Sequence, residues 1–176
     1  MKILETERLL LRRMTVADAG FILELLNEAA FIRNIGDKGV RTIEDARLYI
    51  LSGPVASYGQ FGFGLYLVEW KETGEAIGMC GLLKRETLED VDIGFAFLEK
   101  HWSKGFASES AGAVMEYGRG ALGIARIVAI VSPENRGSIR VLGKIGLRFE
   151  RMILMPGGAG EIKLFGPGAR GQIGVV

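Results

Sequence analysis

At 176 residues, with 22 Lys plus Arg against 21 Asp plus Glu, the chain is sized for one domain, and its net charge of +1 supplies no field that would gather nucleic acid or an anionic membrane. The lone cysteine, Cys80, excludes an internal disulfide, and no apolar run approaches the roughly 18 residues of a membrane span. The opening MKILETERLLLRRM lacks the unbroken apolar run of a signal peptide, so a cytoplasmic protein is expected.

In chain order, RLLLRRM reads as a first strand. TVADAGFILELLNEAA then reads as a helix, with Thr15 as N-cap, Asp18 completing a capping box, and Phe21, Leu25 and Leu26 at helical spacing. TIEDARLYILS repeats the device with Thr42 and Asp45, and FIRNIGDKGVR between the two is expected to be a loop. Three runs, FGFGLYLVEW, EAIGMCGLLKR and VDIGFAFL, are separated by the turn-like KETG and ETLED, which predicts an antiparallel meander. SESAGAVMEYGRGALG carries Val114, Met115 and Leu122 at helical spacing, and ARIVAIVS reads as a buried strand. NRGSIRVLGKIG follows as a helix closed by Gly146, then LRFERMIL and EIKLF as closing strands. The glycine cluster in PGGAGEIKLFGPGARGQ is expected to be loop-rich, the tail after Pro156 serving as a partner surface or a frayed end. The order describes a single α/β (α+β) domain over residues 1–176, with a mixed, mostly antiparallel sheet of about seven strands flanked by about four helices.

GRGALG, residues 118–123, matches the letters of a dinucleotide fingerprint but follows a helix and precedes a strand, the reverse of the required order. It reads as a helix-ending loop. HWSKGFASES, residues 101–110, has the right order: a strand ending near Leu98, a loop containing Gly105, and a helix opening near Ala107. The unpaired N–H groups of that helix start form an anion seat, with Gly105 lacking a Cβ, Ala107 and Ser108 small, and Lys104 adding charge. An ordinary strand-to-helix turn has the same spacing.

DIGFAFLEKHWSKGFASES resembles the signature of the GNAT superfamily of acyl-CoA-dependent N-acyltransferases, whose Q/R-x-x-G-x-G/A pattern falls on Trp102, Ser103, Lys104, Gly105, Phe106 and Ala107. Trp at the first position, together with SPENRGSIRVLGKIGLRFE and the opening TERLLLRRMTVADA, is similar to the branch of ribosomal-protein N-terminal acetyltransferases RimJ and RimL. The resemblance covers residues 5 to 155 and implies a sheet splayed between its fourth and fifth strands. It implies acetyl-CoA as cosubstrate without a metal, its pyrophosphate on the amides from Lys104 to Ser108 and its pantetheine beside Phe97 and Leu98, with Trp102 and Asn135 as further contacts. An amine would attack the thioester directly, and one backbone N–H would hold the oxyanion.

The resemblance further implies Asp92 as the amine's base and Ser138 as the acid for the thiolate, because the tyrosine that much of the superfamily uses is replaced here by Leu142. Each has a plain reading beside it: a solvated strand-end charge for Asp92, a helix-start hydroxyl for Ser138, a helix cap for Asn135. Arg136, Arg140 and Lys144 form one stripe, read first as a solvated face and otherwise as contacts to the adenosine phosphates. His101 stands where relatives carry an aromatic, and Cys80 reads as a small buried residue. Residues 62–66 and the loop with Arg33, Asp37, Lys38 and Arg41 are candidates for the acceptor side. The expected reaction is acetyl transfer to a primary amine, of a protein N-terminus or else of a small polyamine-, antibiotic- or amino-acid-like molecule. A homodimer is among the arrangements that the resemblance implies, and a non-catalytic acyl-CoA sensor is the rival.

Overall fold

The computed structural model describes residues 1–158 and 160–168. Eight strands form one sheet, β1 (Lys2–Glu5), β2 (Leu9–Arg12), β3 (Leu65–Trp70), β4 (Glu75–Leu83), β5 (Val91–Phe97), β6 (Ile127–Val131), β7 (Arg148–Leu154) and β8 (Glu161–Gly166), in the order β1-β2-β3-β4-β5-β6-β8-β7. Only β5 and β6 run parallel; the meander β3-β4-β5 is antiparallel as its short turns require. The strand absent from the sequence reading is β1, four residues with charges at both ends, held by its pairing with β2 (Lys2↔Arg12, Glu5↔Leu10). The glycine cluster near the C-terminus contains β8, and the tail beyond residue 168 lies outside the described residues.

The two capping boxes locate the early helices. Asp18 accepts the Thr15 N–H at 2.8 Å and opens a 3-10 turn that leads into α1 (Ala19–Asn27); Asp45 and Thr42 exchange bonds of 3.0 and 3.1 Å ahead of α3 (Ile43–Ile50). Between them FIRN is no loop but the greater part of a short helix, α2 (Ala29–Asn34), which buries Ala30 and Phe31. α3 continues through a π-helical turn, Leu51–Val55, into α4 (Ala56–Phe61). Pro54 lies inside that turn, where its missing N–H and its ring break the α ladder and the wider π turn absorbs the break. Gly62, at φ +80°, then ends the rod, so β3 begins at Leu65 rather than at Phe61.

Helices cover both sheet faces. One face packs Tyr66, Leu82, Ile93, Phe97 and Val131 against α5 (Phe106–Gly120) and α6 (Arg136–Lys144), and the other packs Leu67, Met79, Ala96 and Leu98 against α1 and α3. Each fully buried leucine or isoleucine contributes about 2 kcal/mol of transfer free energy. Gly118, the first glycine of GRGALG, lies in α5 where an added Cβ would stand 2.7 Å from Ile127 Cδ1, so it is a packing glycine. Among the described residues no helix is long and apolar enough to cross a membrane.

Candidate active site

β5 and β6 pair only at Val91↔Ile127 and Asp92↔Val128, after which β6 turns to β8 from Ala129 onward. β5 continues alone to Phe97. Its Leu98 N–H donates to Ile77 O on β4 at 3.0 Å, so by the two-residue alternation of a strand the backbone groups of Phe95 and Phe97 face the gap. Leu98 is 1% exposed and its N–H is used in the sheet, which removes it from the free backbone expected there. Phe97 keeps the expected position, although its carbonyl already accepts the Trp102 indole N–H at 2.9 Å.

The gap widens into a cleft of about 500 Å³ that is walled by Phe95, Ala96 and Phe97, by Trp102, Ser103 and the first turn of α5, by Asn135 and Ser138 of α6, and by Ala30, Phe31 and Arg33 of α2. That volume suits a cofactor-sized ligand. The loop reaches α5 through two left-handed residues, Ser103 at φ +61° and Gly105 at φ +81°. Ser103 is the one non-glycine residue in that region among the described residues and costs about 1–2 kcal/mol to hold there. The result is a helix that opens at Phe106 beside the cleft with its first amides unpaired, and Gly105, Phe106, Ala107 and Ser108 all line the cleft there.

Lys104 departs from its expected place: its ammonium lies 5.5 Å over the Trp70 ring, and it does not line the cleft. The positive charge comes from the other side. Arg136, Arg140 and Lys144 all line the cleft, and none of them forms an ion pair among the described residues. The stripe read first as a solvated face is exposed as expected and also borders the cavity. Asn135 is a helix cap, its side-chain oxygen accepting the Ser138 N–H at 3.1 Å, and it also lines the cleft. Cap and wall are one residue.

Asp92 is elsewhere. It is 1% exposed, not a solvated strand end, and its carboxylate is held by Arg85 Nε at 3.0 and 3.2 Å. Burial pushes its pKa above the ordinary carboxyl value, with Arg85 pulling the other way. On its face of β5 the next residue toward the cleft is Gly94, and the space above Gly94 is filled by Leu83 Cδ1 and Leu65 Cδ2, at 2.8 and 3.6 Å from where a Cβ would be. Asp92 itself lines neither this cleft nor the second cavity, of about 270 Å³, that Leu65, Leu83 and Arg85 border beside α3 and α4.

The remaining candidates divide between the core and the cleft wall. His101 borders the cleft but is only 6% exposed, edge-on to Trp70 at 6.1 Å, with neither ring nitrogen hydrogen-bonded among the described residues, and burial lowers its pKa. Cys80 is buried and its thiol is pushed up to about 12, far from a nucleophile's range. Leu142 is 2% exposed in the core, and no tyrosine lines the cleft among the described residues. Tyr66 is fully buried and stacked on Tyr58; of the charges in the loop after α2, Asp37 and Arg41 pair with each other, while Arg33 of α2 lines the cleft.

What sequence reasoning missed is the brace behind the loop. Arg8, between β1 and β2, bonds Glu109 on α5 and the Lys104 carbonyl, joining residues that are 101 and 96 positions apart. No local signal announces such a contact.

Residues 8–148 match the family model described as an acetyltransferase (GNAT) domain. YoaA of Bacillus subtilis, described as an uncharacterized N-acetyltransferase, is 34% identical over 86% of this chain and 85% of its own length. Another Bacillus subtilis relative, 36% identical over 95 residues, is matched over 55% of its length. The crystal structure of a GNAT-family acetyltransferase from Bacillus anthracis superposes with a TM-score of 0.78 at 29% identity, covering 94% of this chain and 97% of that one. The coenzyme A complex of RimL, a ribosomal L7/L12 alpha-N-protein acetyltransferase, superposes with a TM-score of 0.81 at 18% identity, covering 94% and 97%, a likeness of fold.

Proposed function

The chain belongs to the GNAT acetyltransferase family, and from that premise we propose that it binds acetyl-CoA in the β5–β6 gap and moves the acetyl group to a primary amine. The observation that carries the reading is the unzipped edge of β5 ending at a helix whose free amides face the same cleft. The pyrophosphate would rest on the amides from Gly105 to Ser108, where the helix dipole and the cations of α6 favour an anion. Pantetheine amides would pair with the Phe95 backbone and the Phe97 N–H on the unpaired edge of β5 beside Trp102, completing a strand of the interrupted sheet, and Asn135 would meet the cofactor across the cleft.

The chemistry is one addition and one elimination. The neutral amine nitrogen attacks the thioester carbon, a β5 N–H holds the oxyanion, the C–S bond breaks, and one proton passes from nitrogen to the leaving sulfur. Ser138 lines the cleft at the start of α6, and we assign it the delivery of that proton to the thiolate. Ser138→Ala is expected to lower kcat by about 10- to 100-fold with the Kd for acetyl-CoA unchanged. Stopped-assay thiol release together with calorimetry separates the two quantities, and full turnover in the variant removes Ser138 from the mechanism.

Asp92 is buried and does not line the cleft, so we take the amine to arrive neutral. This favours an α-amine, with a pKa of roughly 8, over a lysine-like or polyamine nitrogen near roughly 10.4, which would need a base. A protein N-terminus is therefore the preferred acceptor class, and a small amine is the alternative. The one carboxylate that lines the cleft among the described residues is Glu134, exposed beside α6. For Asp92 a pH signature follows. Because its folded pKa is raised, its contribution to stability is complete below the unfolded value and is lost as pH rises through the folded one. Asp92→Asn is accordingly expected to melt higher than wild type near neutral pH, the gap closing toward about pH 4. A well-folded variant with kcat down by more than about tenfold would instead make Asp92 the base.

The test of the whole reading is calorimetric titration with acetyl-CoA and free coenzyme A, followed by thiol release against N-terminal peptides and small amines. Binding with release on one acceptor class is expected. Binding without release favours an acyl-CoA sensor, and no binding overturns the proposal.

A further inference from the structure

The anion seat has an acid built into it. Glu109 stands in the first turn of α5, where its charge suits the helix dipole but opposes any second anion that uses the same amides. Its carboxylate is fully engaged on the side away from the cleft: Oε1 accepts from Thr6 Oγ1 at 2.6 Å and from the Arg8 backbone N–H at 2.9 Å, and Oε2 accepts from Arg8 Nε at 2.7 Å. Burial works against that charge, yet the bonds from Thr6 and Arg8 hold the carboxyl below its ordinary range.

The same guanidinium does two further things. Its Nη1 donates to the Lys104 carbonyl at 2.9 Å, and its plane lies 4.7 Å over the Phe106 ring. Its Nη2 sits 3.2 Å from where a Cβ on Gly105 would be, filling the space behind the glycine. Arg8 thus touches residues 104, 105, 106 and 109, every one in the loop or the first turn of α5, and is itself absent from the cleft wall. By drawing the Lys104 carbonyl backward it fixes the peptide that precedes the left-handed Gly105, and that peptide sets the direction of the amides after it. The pair is 41% and 19% exposed, and ion pairs in such settings add little to folding stability. Its consequence is local.

We propose that Arg8 is the positioning residue of the cofactor's phosphate seat: it neutralises Glu109 and pins the Lys104 carbonyl, so that the loop presents amides, and no net negative charge, to the pyrophosphate. The inference rests on the acetyl-CoA reading above and adds to it a residue contributed by the β1–β2 connection.

Arg8→Gln is expected to weaken coenzyme A binding by about 10- to 30-fold, the scale of a lost charge-assisted network, measured by calorimetry at fixed salt. The KM for acetyl-pantetheine, which carries no phosphates, should change by less than about threefold in the same variant, since the phosphate seat is the part disturbed. Adding Glu109→Gln to Arg8→Gln removes the uncompensated charge and should recover most of the lost affinity. A brace that merely holds the fold would depress both donors alike and would make the double variant worse. Equal losses on both donors, or no recovery in the double variant, overturn the proposal. If Arg8→Gln does not fold, Arg8→Lys carries the test: it keeps the charge but cannot reach Glu109 and the Lys104 carbonyl together, so coenzyme A affinity should fall several-fold, and unchanged affinity overturns the proposal. Wild-type protein that fails to bind coenzyme A refutes the parent reading, whereas wild-type binding with an unaffected Arg8→Gln refutes only this one.

Discussion

Gly105→Glu is expected to abolish coenzyme A binding, with Kd rising by more than about 100-fold, because three costs fall on one residue. The backbone at Gly105 is left-handed, φ +81°, a conformation that costs an L side chain about 1–2 kcal/mol. An added Cβ would stand 3.2 Å from Arg8 Nη2, so a longer side chain must displace the guanidinium that compensates Glu109. The new carboxylate, finally, sits at the N-cap of α5 and puts negative charge beside the amides that an anion would use. Gly105→Ala keeps the first cost and only a slight push on Arg8 Nη2, without the new charge, and should lose about tenfold. Calorimetry with coenzyme A, alongside a melting curve to show that each variant is folded, reads both. An unchanged Kd in a folded Gly105→Glu protein would remove this loop from the cofactor site.

Gly81→Val should cost at least about 4 kcal/mol of stability and lower Tm by roughly 10 °C or more. Gly81 lies in the middle of β4, between β3 and β5, opposite Leu65 on one side and Gly94 on the other. A Cβ there would lie 2.0 Å from Gly64 O and 2.8 Å from Leu65 Cα, both backbone atoms that no rotamer change can move. The close approach has a use: Gly64 O accepts the Leu82 N–H at 3.2 Å, which joins the end of the α3–α4 rod to the sheet beneath the second cavity. Gly112 offers the comparison, since nothing lies within 4 Å of its added Cβ on α5, and Gly112→Ala should leave the protein as stable or raise stability by up to about 1 kcal/mol. Chemical denaturation of the two variants reads the contrast. Equal stabilities would mean that β4 can shift away from Gly64.

Much of this architecture is written locally. The alternation in VDIGFAF, the turn-like KETG and ETLED, and the Thr–Asp boxes at Thr15 and Thr42 each act within a few residues, and so the meander and two helix starts follow from the sequence alone. The glycine loop was equally legible, because a strand, a glycine and a run of small residues are a local arrangement that exposes helix amides. α2 and the π turn were not, since FIRN is too short to show a period and Pro54 argues for a helix stop that burial of Pro54 and Tyr58 overrides.

The site divides in the same way. The anion seat around Gly105 was legible in the order of residue types along the chain, whereas Trp102, Asn135 and Ser138 were named through the resemblance of their motifs to the GNAT pattern. Which of them face the cleft was decided only when distant strands met. β5 leaves β6 after two paired residues, Leu65 and Leu83 fold over Gly94 next to the buried Asp92, Lys104 turns to Trp70, and the exposed Arg136, Arg140 and Lys144 come to border the cleft. Arg8 reaches Glu109 across 101 positions. Hydrophobic period and turn chemistry act over a handful of bonds and can be read in order, whereas side-chain direction at a splayed edge depends on what packs from elsewhere in the chain, and only the folded molecule brings those partners together.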